Sequence, residues 1–219
     1  MSVHFHRELE SLRRMILELG TLIQDNLARA VAALIERDPV LAESIVHGDG
    51  EIDRMEVDIE EHCLKVLALH HPVAQDLRFI VAALKINNDL ERMGDIVTNI
   101  AKRARFLARN EAIDWPVDLE ACACEVRTMV RGALDALIDM DPSRARHVCA
   151  ADDRVDAFKR EMIGELRELL GRMPDRSPVL LKMIDVPRHL ERIADLSTNI
   201  AEDVIYMVEG RIVRHGRED

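Results

Sequence analysis

Leu90-Glu-Arg-Met-Gly-Asp-Ile-Val-Thr-Asn-Ile-Ala101 and Leu190-Glu-Arg-Ile-Ala-Asp-Leu-Ser-Thr-Asn-Ile-Ala201 are nearly one sequence written twice, 100 residues apart. Leu, Glu, Arg, Asp, Thr, Asn, Ile and Ala recur at matching places, and the other positions are mostly conservative. A weaker echo lies upstream of each copy, where Asp49-Gly-Glu-Ile-Asp53 is followed 103 residues later by Asp152-Asp-Arg-Val-Asp156. Self-similarity at a fixed spacing marks a repeated structural unit. Asp38-Pro39, Asp141-Pro142 and Ser177-Pro178 each read as an N-cap followed by proline at the first helical position. Between these stops run segments of helical periodicity, and six long helices are expected at about 3–36, 39–69, 73–108, 116–140, 142–171 and 178–209. Each would be roughly 40–50 Å long. Joined by short turns, they should pack as antiparallel neighbours. The fold class is therefore all-α, with two pseudo-symmetric three-helix bundles over 1–110 and 115–213 and a polar tail over 214–219.

Composition agrees. Of 219 residues, 48% are hydrophobic but only 3% aromatic, which disfavours β architectures and suits helices rich in Leu, Ile, Val, Ala and Met. The formal charge of −11 argues against direct nucleic-acid binding, which rests on Lys and Arg neutralising phosphates, and suits cations or basic partners. No run of about 18 apolar residues is present, and Met1–Arg14 carries charges throughout, so neither a membrane span nor a signal peptide is expected. The expected location is the cytoplasm. Cys63, Cys122, Cys124 and Cys149 are too sparse for a disulfide scaffold and lack zinc-motif spacing, so they read as reduced core or surface residues.

What repeats is acidic as well as apolar. Asp49 and Asp53, Glu91 and Asp95, Asp152 and Asp156, and Glu191 and Asp195 are all i,i+4 pairs, and such pairs share one helix face. Asn99 and Asn199 extend the line by another turn. Leu77, Val81 and Leu84 lie near the meridian of Asn88, Glu91, Asp95 and Asn99, while Leu90, Met93, Val97 and Ile100 lie opposite. A face that begins apolar thus turns acidic halfway along, as the second apolar stripe takes over the packing; Leu181 and Ile184 ahead of Glu191 repeat the pattern. One reading is a solvated surface with Arg54, Arg92, Arg154 and Arg192 as partners. The other is a set of cation sites, since clustered carboxylates stay ionised only when positive charge compensates them. All-oxygen donors favour Mg²⁺, Mn²⁺, Ca²⁺ or iron over Cu⁺ or structural Zn²⁺. A ferritin-like di-iron centre is disfavoured, because none of the nine His follows a Glu by three positions.

Glu56-Val-Asp-Ile-Glu60, His71-Pro-Val-Ala-Gln-Asp-Leu-Arg78, Leu90-Glu-Arg-Met-Gly-Asp95 and Thr98-Asn-Ile-Ala101, with the second-half echo, resemble the PhoU family of phosphate-uptake regulators across essentially the whole chain. The resemblance implies a pair of three-helix bundles and metal-binding Glu/Asp-x-x-x-Asp motifs. These carry over to Asp49, Asp53, Glu91, Asp95, Asp152, Asp156, Glu191 and Asp195, with Asn99 and Asn199 as additional positions and iron, Mn, Mg or Zn as the ion. Arg188-His189 stands where the first repeat has Asn88-Asp89, so equal occupancy of the two bundles is not implied. The implied role is a cytoplasmic, non-catalytic adaptor. The resemblance implies that it couples a phosphate ABC transporter to a sensor histidine kinase and represses the starvation response when phosphate is ample. Implied partners are that kinase, the transporter's ATPase subunit and a second copy of the chain, with the membrane reached only through partners.

Other residues carry weaker signals. His70-His71 before Pro72 suits the negative end of a helix dipole better than a metal. Asp76 and Arg78, in the first turn of the third helix, are candidates for a partner surface, although Asp76 also suits the dipole. Trp115, in the connection between bundles, reads as a hydrophobic cover. No phosphate-binding loop, nucleophile elbow or zinc motif is present. A metal-dependent enzyme would need an acid or base beside the carboxylates, and a metal-free scaffold would be stabilised by removing them.

Overall fold

A computed structural model describes residues 3–210, and among these it has six α-helices and no strand. They are α1 (Val3–Ile35), α2 (Pro39–His70), α3 (Ala74–Ala108), α4 (Leu119–Asp139), α5 (Pro142–Arg172) and α6 (Ser177–Glu209), with a 3₁₀ turn at Pro174–Arg176. The expected tail at 214–219 lies outside the described residues.

The repeat extends to the turns. Asp38 accepts hydrogen bonds from the backbone N–H groups of Val40 and Leu41 at 2.8 and 3.0 Å, and Asp141 does the same for Ser143 and Arg144 at 2.9 and 3.1 Å. Each carboxylate satisfies donors that the helix leaves unpaired, beside a proline that has none to satisfy. One residue earlier, Arg37 and Met140 both take the left-handed conformation, at φ 56° and 51°. Arg37 is held there by hydrogen bonds from its guanidinium to the carbonyls of Leu107 and Asn110, which tie the α1–α2 turn to the end of α3. Two expected starts differ. Ser177 lies inside α6, and Arg176 precedes it without a side-chain cap. The fourth helix begins at Leu119, because Asp118 accepts a hydrogen bond from Ala121 N–H at 3.0 Å and so outcompetes the start signal at Pro116.

Helices α1, α2 and α3 pack together, as do α4, α5 and α6, and α3 packs on α6 and α1 on α4 between the bundles. The buried side chains of both bundles form one continuous cluster, with Trp115 packed against its edge. Leu90, Met93, Val97 and Ile100 are buried, as their stripe predicts. Leu77 and Val81 are not; they stay exposed, and Phe79, Ile80, Ala82, Ala83 and Ile86 supply the packing at that end of α3. Close approach needs small residues at two points. A Cβ on Gly20 would lie 2.2 Å from a methyl of Leu134 at the α1–α4 contact, and one on Gly94 would lie 2.9 Å from two carbons of Ile52 where α2 meets α3.

Two ion pairs bridge α3 and α6. Lys85 pairs with Asp203 at 3.1 Å, and Arg103 pairs with Asp185 at 2.8 Å. The low number on one helix meets the high number on the other, so the two helices run antiparallel. Positions 85 and 185, and 103 and 203, are counterparts in the 100-residue repeat, so the two pairs are images of each other with the charges exchanged.

Candidate metal centre

In the first bundle, α2 presents Asp49, Asp53 and Glu56, and α3 presents Glu91 and Asp95. Asp49, Glu56 and Glu91 are half-buried, while Asp53 and Asp95 are exposed. Gly94 lets α2 and α3 approach at this level. Burial raises the pKa of Glu91 above its ordinary value, and the charges of Asp95, Glu56, Asp53 and Asp49 raise it further. Burial likewise raises that of Glu56, with Glu60 and Asp53 adding to the shift. Three of the four expected partner arginines pair elsewhere: Arg92 with Asp89, Arg54 with the carbonyl of Gly50, and Arg154 with Glu125.

Two uncharged contacts hold this first face in place. Thr98 donates its hydroxyl to Asp49 Oδ1 at 2.9 Å, fixing one carboxylate from α3. Asn87, buried within the α2–α3 contact, donates Nδ2 to the backbone carbonyl of Glu56 at 2.8 Å. Neither Asn87 nor Glu56 was a candidate from the sequence. Glu56 could have been found as a carboxylate one helical turn beyond Asp53 on α2; a side-chain bond to a backbone carbonyl leaves no comparable trace.

The second bundle places Asp152 and Asp156 on α5 and Glu191 and Asp195 on α6. Burial, then the charges of Glu191 and Asp152, pushes the Asp195 carboxyl up to about 6, against a lowering by Lys159. Asp152 is raised by burial and by Asp156, Glu191 and Asp153, again opposed by Lys159. The Lys159 ammonium stands 2.8 Å from Asp156 and 2.6 Å from Glu191, joining α5 to α6. Here Thr198 donates to the carbonyl of Asp195 in its own helix, at 2.7 Å. Asn199 is exposed and lines the α3–α6 groove with Leu84, Lys85, Asp89, Glu202 and Asp203. Asn99 is half-buried.

Among the described residues, no three His, Cys, Asp or Glu side chains are gathered as a preassembled metal shell. The two faces differ in how their donors would suit a hard cation. The first offers carboxylate oxygens from two helices, and the leading charge effects on Glu91 and Glu56 all come from other carboxylates. That donor set fits. In the second, an ammonium already bridges two of the carboxylates, and that set does not fit.

Asp76 and Arg78 are both half-buried at the start of α3, and Arg78 Nε is buried without a hydrogen-bond partner. His71 ends α2 in the left-handed conformation, at φ 45°, and the ring of His70 packs 5.2 Å from that of Phe5. The four cysteines are free thiols. Burial pushes Cys63 and Cys122 up to about 12 and Cys149 to about 11, which keeps these three protonated. No helix of the described residues is long and apolar enough to cross a membrane.

These features define a class: all-helical proteins built from a doubled three-helix unit, with acidic faces on the second and third helix of each copy. The chain belongs to the PhoU family, whose domain model, described as "PhoU domain", matches it at residues 16–104 and again at 122–204. It is 40% identical over 219 residues to a phosphate-specific transport system accessory protein PhoU homolog of Pseudomonas putida, covering 98% of this chain and 84% of that one. The corresponding accessory protein PhoU of Escherichia coli K12 is 32% identical over 218 residues, covering 98% and 89%. Among solved structures, PhoU from Pseudomonas aeruginosa superposes with a TM-score of 0.90 at 37% identity, over 94% of this chain and all of that one. The phosphate transport system regulatory protein PhoU from Streptococcus pneumoniae gives 0.88 at 30% identity, over 96% of this chain and all of that one.

Proposed function

We propose that this chain is a non-catalytic regulator of phosphate uptake, coupling a phosphate transporter's ATPase subunit to a sensor histidine kinase and repressing the starvation response when phosphate is ample. Its relatives' names as accessory and regulatory proteins of phosphate transport support this reading. The observation that carries it furthest is the first acidic face. Asp49, Asp53, Glu56, Glu91 and Asp95 bring carboxylates from α2 and α3 together where desolvation and like charge both disfavour ionisation. These residues would hold a hard metal ion, with Thr98 fixing Asp49 and Asn87 fixing the backbone at Glu56. A bound cation supplies the compensating positive charge. The face is open, as suits a surface read by another protein. Leu77, Val81 and Leu181 are exposed on the helices that carry the acidic faces, and exposed apolar side chains on long helices favour contact with a partner.

Elemental analysis of the full chain, purified without chelator or a metal-affinity tag, tests the metal, and its absence would remove that part of the reading. A pull-down with the ATPase subunit and the cytoplasmic part of the kinase tests the adaptor role. Retention by the native chain and loss on Val81→Asp with Leu181→Asp are expected. Failure of the native chain to retain either protein would overturn the role.

A further inference from the structure

The acidic faces of the two bundles differ at one chemically decisive position. The offset of 103 that relates Asp49 to Asp152 and Asp53 to Asp156 also relates Glu56 to Lys159. One helical turn beyond each Asp pair, the first repeat thus adds a carboxylate and the second an ammonium. The ammonium is seated, not solvated: Lys159 lies 2.8 Å from Asp156 on its own helix and 2.6 Å from Glu191 on α6, and its side chain is only 23% exposed. A compact point charge with several donors can bridge carboxylates on two helices, which is the work a metal ion would otherwise do.

We propose that Lys159 is the built-in counter-cation of the second bundle, so that only the first bundle takes up a metal ion. The residue at this one repeat position, Glu56 or Lys159, sets how many metal sites the chain carries. A divalent ion on Asp156 and Glu191 would have to displace the ammonium from both carboxylates while remaining close to a like charge. Among the described residues no Lys or Arg forms an ion pair with the carboxylates of the first face, which gains Glu56 as a further oxygen donor. The proposal rests on the metal reading of the first bundle given above, and the test separates the two.

The metal-stripped full chain is titrated with Mn²⁺ and the bound ion per chain is counted, for the native protein, Lys159→Glu, Lys159→Gln, and Lys159→Glu combined with Glu191→Gln and Asp195→Asn. Lys159→Glu is expected to double the bound Mn²⁺. Adding Glu191→Gln and Asp195→Asn should return it to the native count, and Lys159→Gln should show the extra site at least tenfold weaker than Lys159→Glu does. Lys159→Gln also guards against a fold defect caused by a new carboxylate, because it adds none. Unchanged stoichiometry in both Lys159 variants overturns the proposal. So does loss of Mn²⁺ from the otherwise native chain on Glu191→Gln with Asp195→Asn. If the native chain binds no Mn²⁺ but Lys159→Glu does, the reading of the first bundle fails while the blocking role of Lys159 stands.

Discussion

The two halves of this chain share a plan down to the first turn of each, yet they treat their acidic faces in opposite ways. Around Asp49, Asp53, Glu91 and Asp95, the first half adds Glu56 and anchors the neighbourhood with uncharged hydrogen bonds from Thr98 and Asn87. Around Asp152, Asp156, Glu191 and Asp195, the second half adds Lys159, while Thr198 turns back onto its own helix and Pro187 stands at the counterpart of Asn87. Proline has no amide to donate and no side-chain donor, so the second half lacks the equivalent tie to the α5 backbone. A common scaffold thus carries one face of carboxylates alone and one with an ammonium seated among them.

The contrast can be broken most forcefully through packing. Gly94→Ala places a methyl group 2.9 Å from Ile52 and should destabilise the chain by about 1–3 kcal/mol in chemical denaturation. The second half has the smaller Val155 and the larger Ala194 at these positions. Adding Ile52→Val to Gly94→Ala should therefore recover part of the loss, and a strictly additive double variant would refute the compensation.

A smaller effect is expected at Lys159. Replacing it with Met removes an ammonium that bridges two part-exposed carboxylates, and about 1 kcal/mol should be lost at low salt in the metal-free protein. The loss should shrink in 1 M salt, where such charges are screened. A loss that is insensitive to salt would mean that the stem of Lys159, not its charge, matters.

The dependence on pH should follow the raised carboxyls. Asp89 and Asp195 titrate near 6 in the folded chain, chiefly through burial, against an ordinary value of 3.8. A group whose folded pKa is raised binds its proton more tightly when folded. Its stabilising contribution is therefore complete below 3.8 and is lost as the pH rises through about 6. The melting temperature of the metal-free chain should accordingly rise when the pH falls from 7.5 to 5.5, and Asp89→Asn with Asp195→Asn should flatten that slope. A slope unchanged in the double variant would place the effect elsewhere.

The smallest effect concerns Glu91→Gln with Asp95→Asn. With chelator present, relief of repulsion between the i,i+4 carboxylates should stabilise the chain by about a few tenths of a kcal/mol. Without chelator, loss of bound metal should reverse the sign. A gain of equal size in both conditions would count against metal on the first face.

How much of this is legible before folding depends on which force acts. Helix limits came within about three residues because proline, Asp caps and the apolar stripe are local features, and local features print themselves on adjacent letters. The start of α4 departs from the expectation because the Asp118 cap starts the helix three residues beyond the 116 expected, and Ser177 is not a cap because the 3₁₀ turn at Pro174–Arg176 leads directly into α6. The eight carboxylates stood out because i,i+4 spacing places each pair on one face. Lys159 escaped notice because its partners lie on two helices, 3 and 32 positions away, and the expected cations were the arginines nearest in sequence. Leu77 and Val81 misled for a related reason. An apolar periodicity names a face without saying whether another helix covers it.

The exchanged ion pairs across α3 and α6 bear on how the duplicated chain finds its own second half. The first repeat contributes Lys85 and Arg103 to this seam, and the second contributes Asp185 and Asp203. Two first repeats from different chains, docked in the same antiparallel register, would set Lys against Arg at both places. Two second repeats would set Asp against Asp. Only unlike repeats satisfy both positions, so mispaired assemblies are penalised at the same two points that reward the correct one. A self-complementary seam, suited to identical partners, has become a lock and key within one chain.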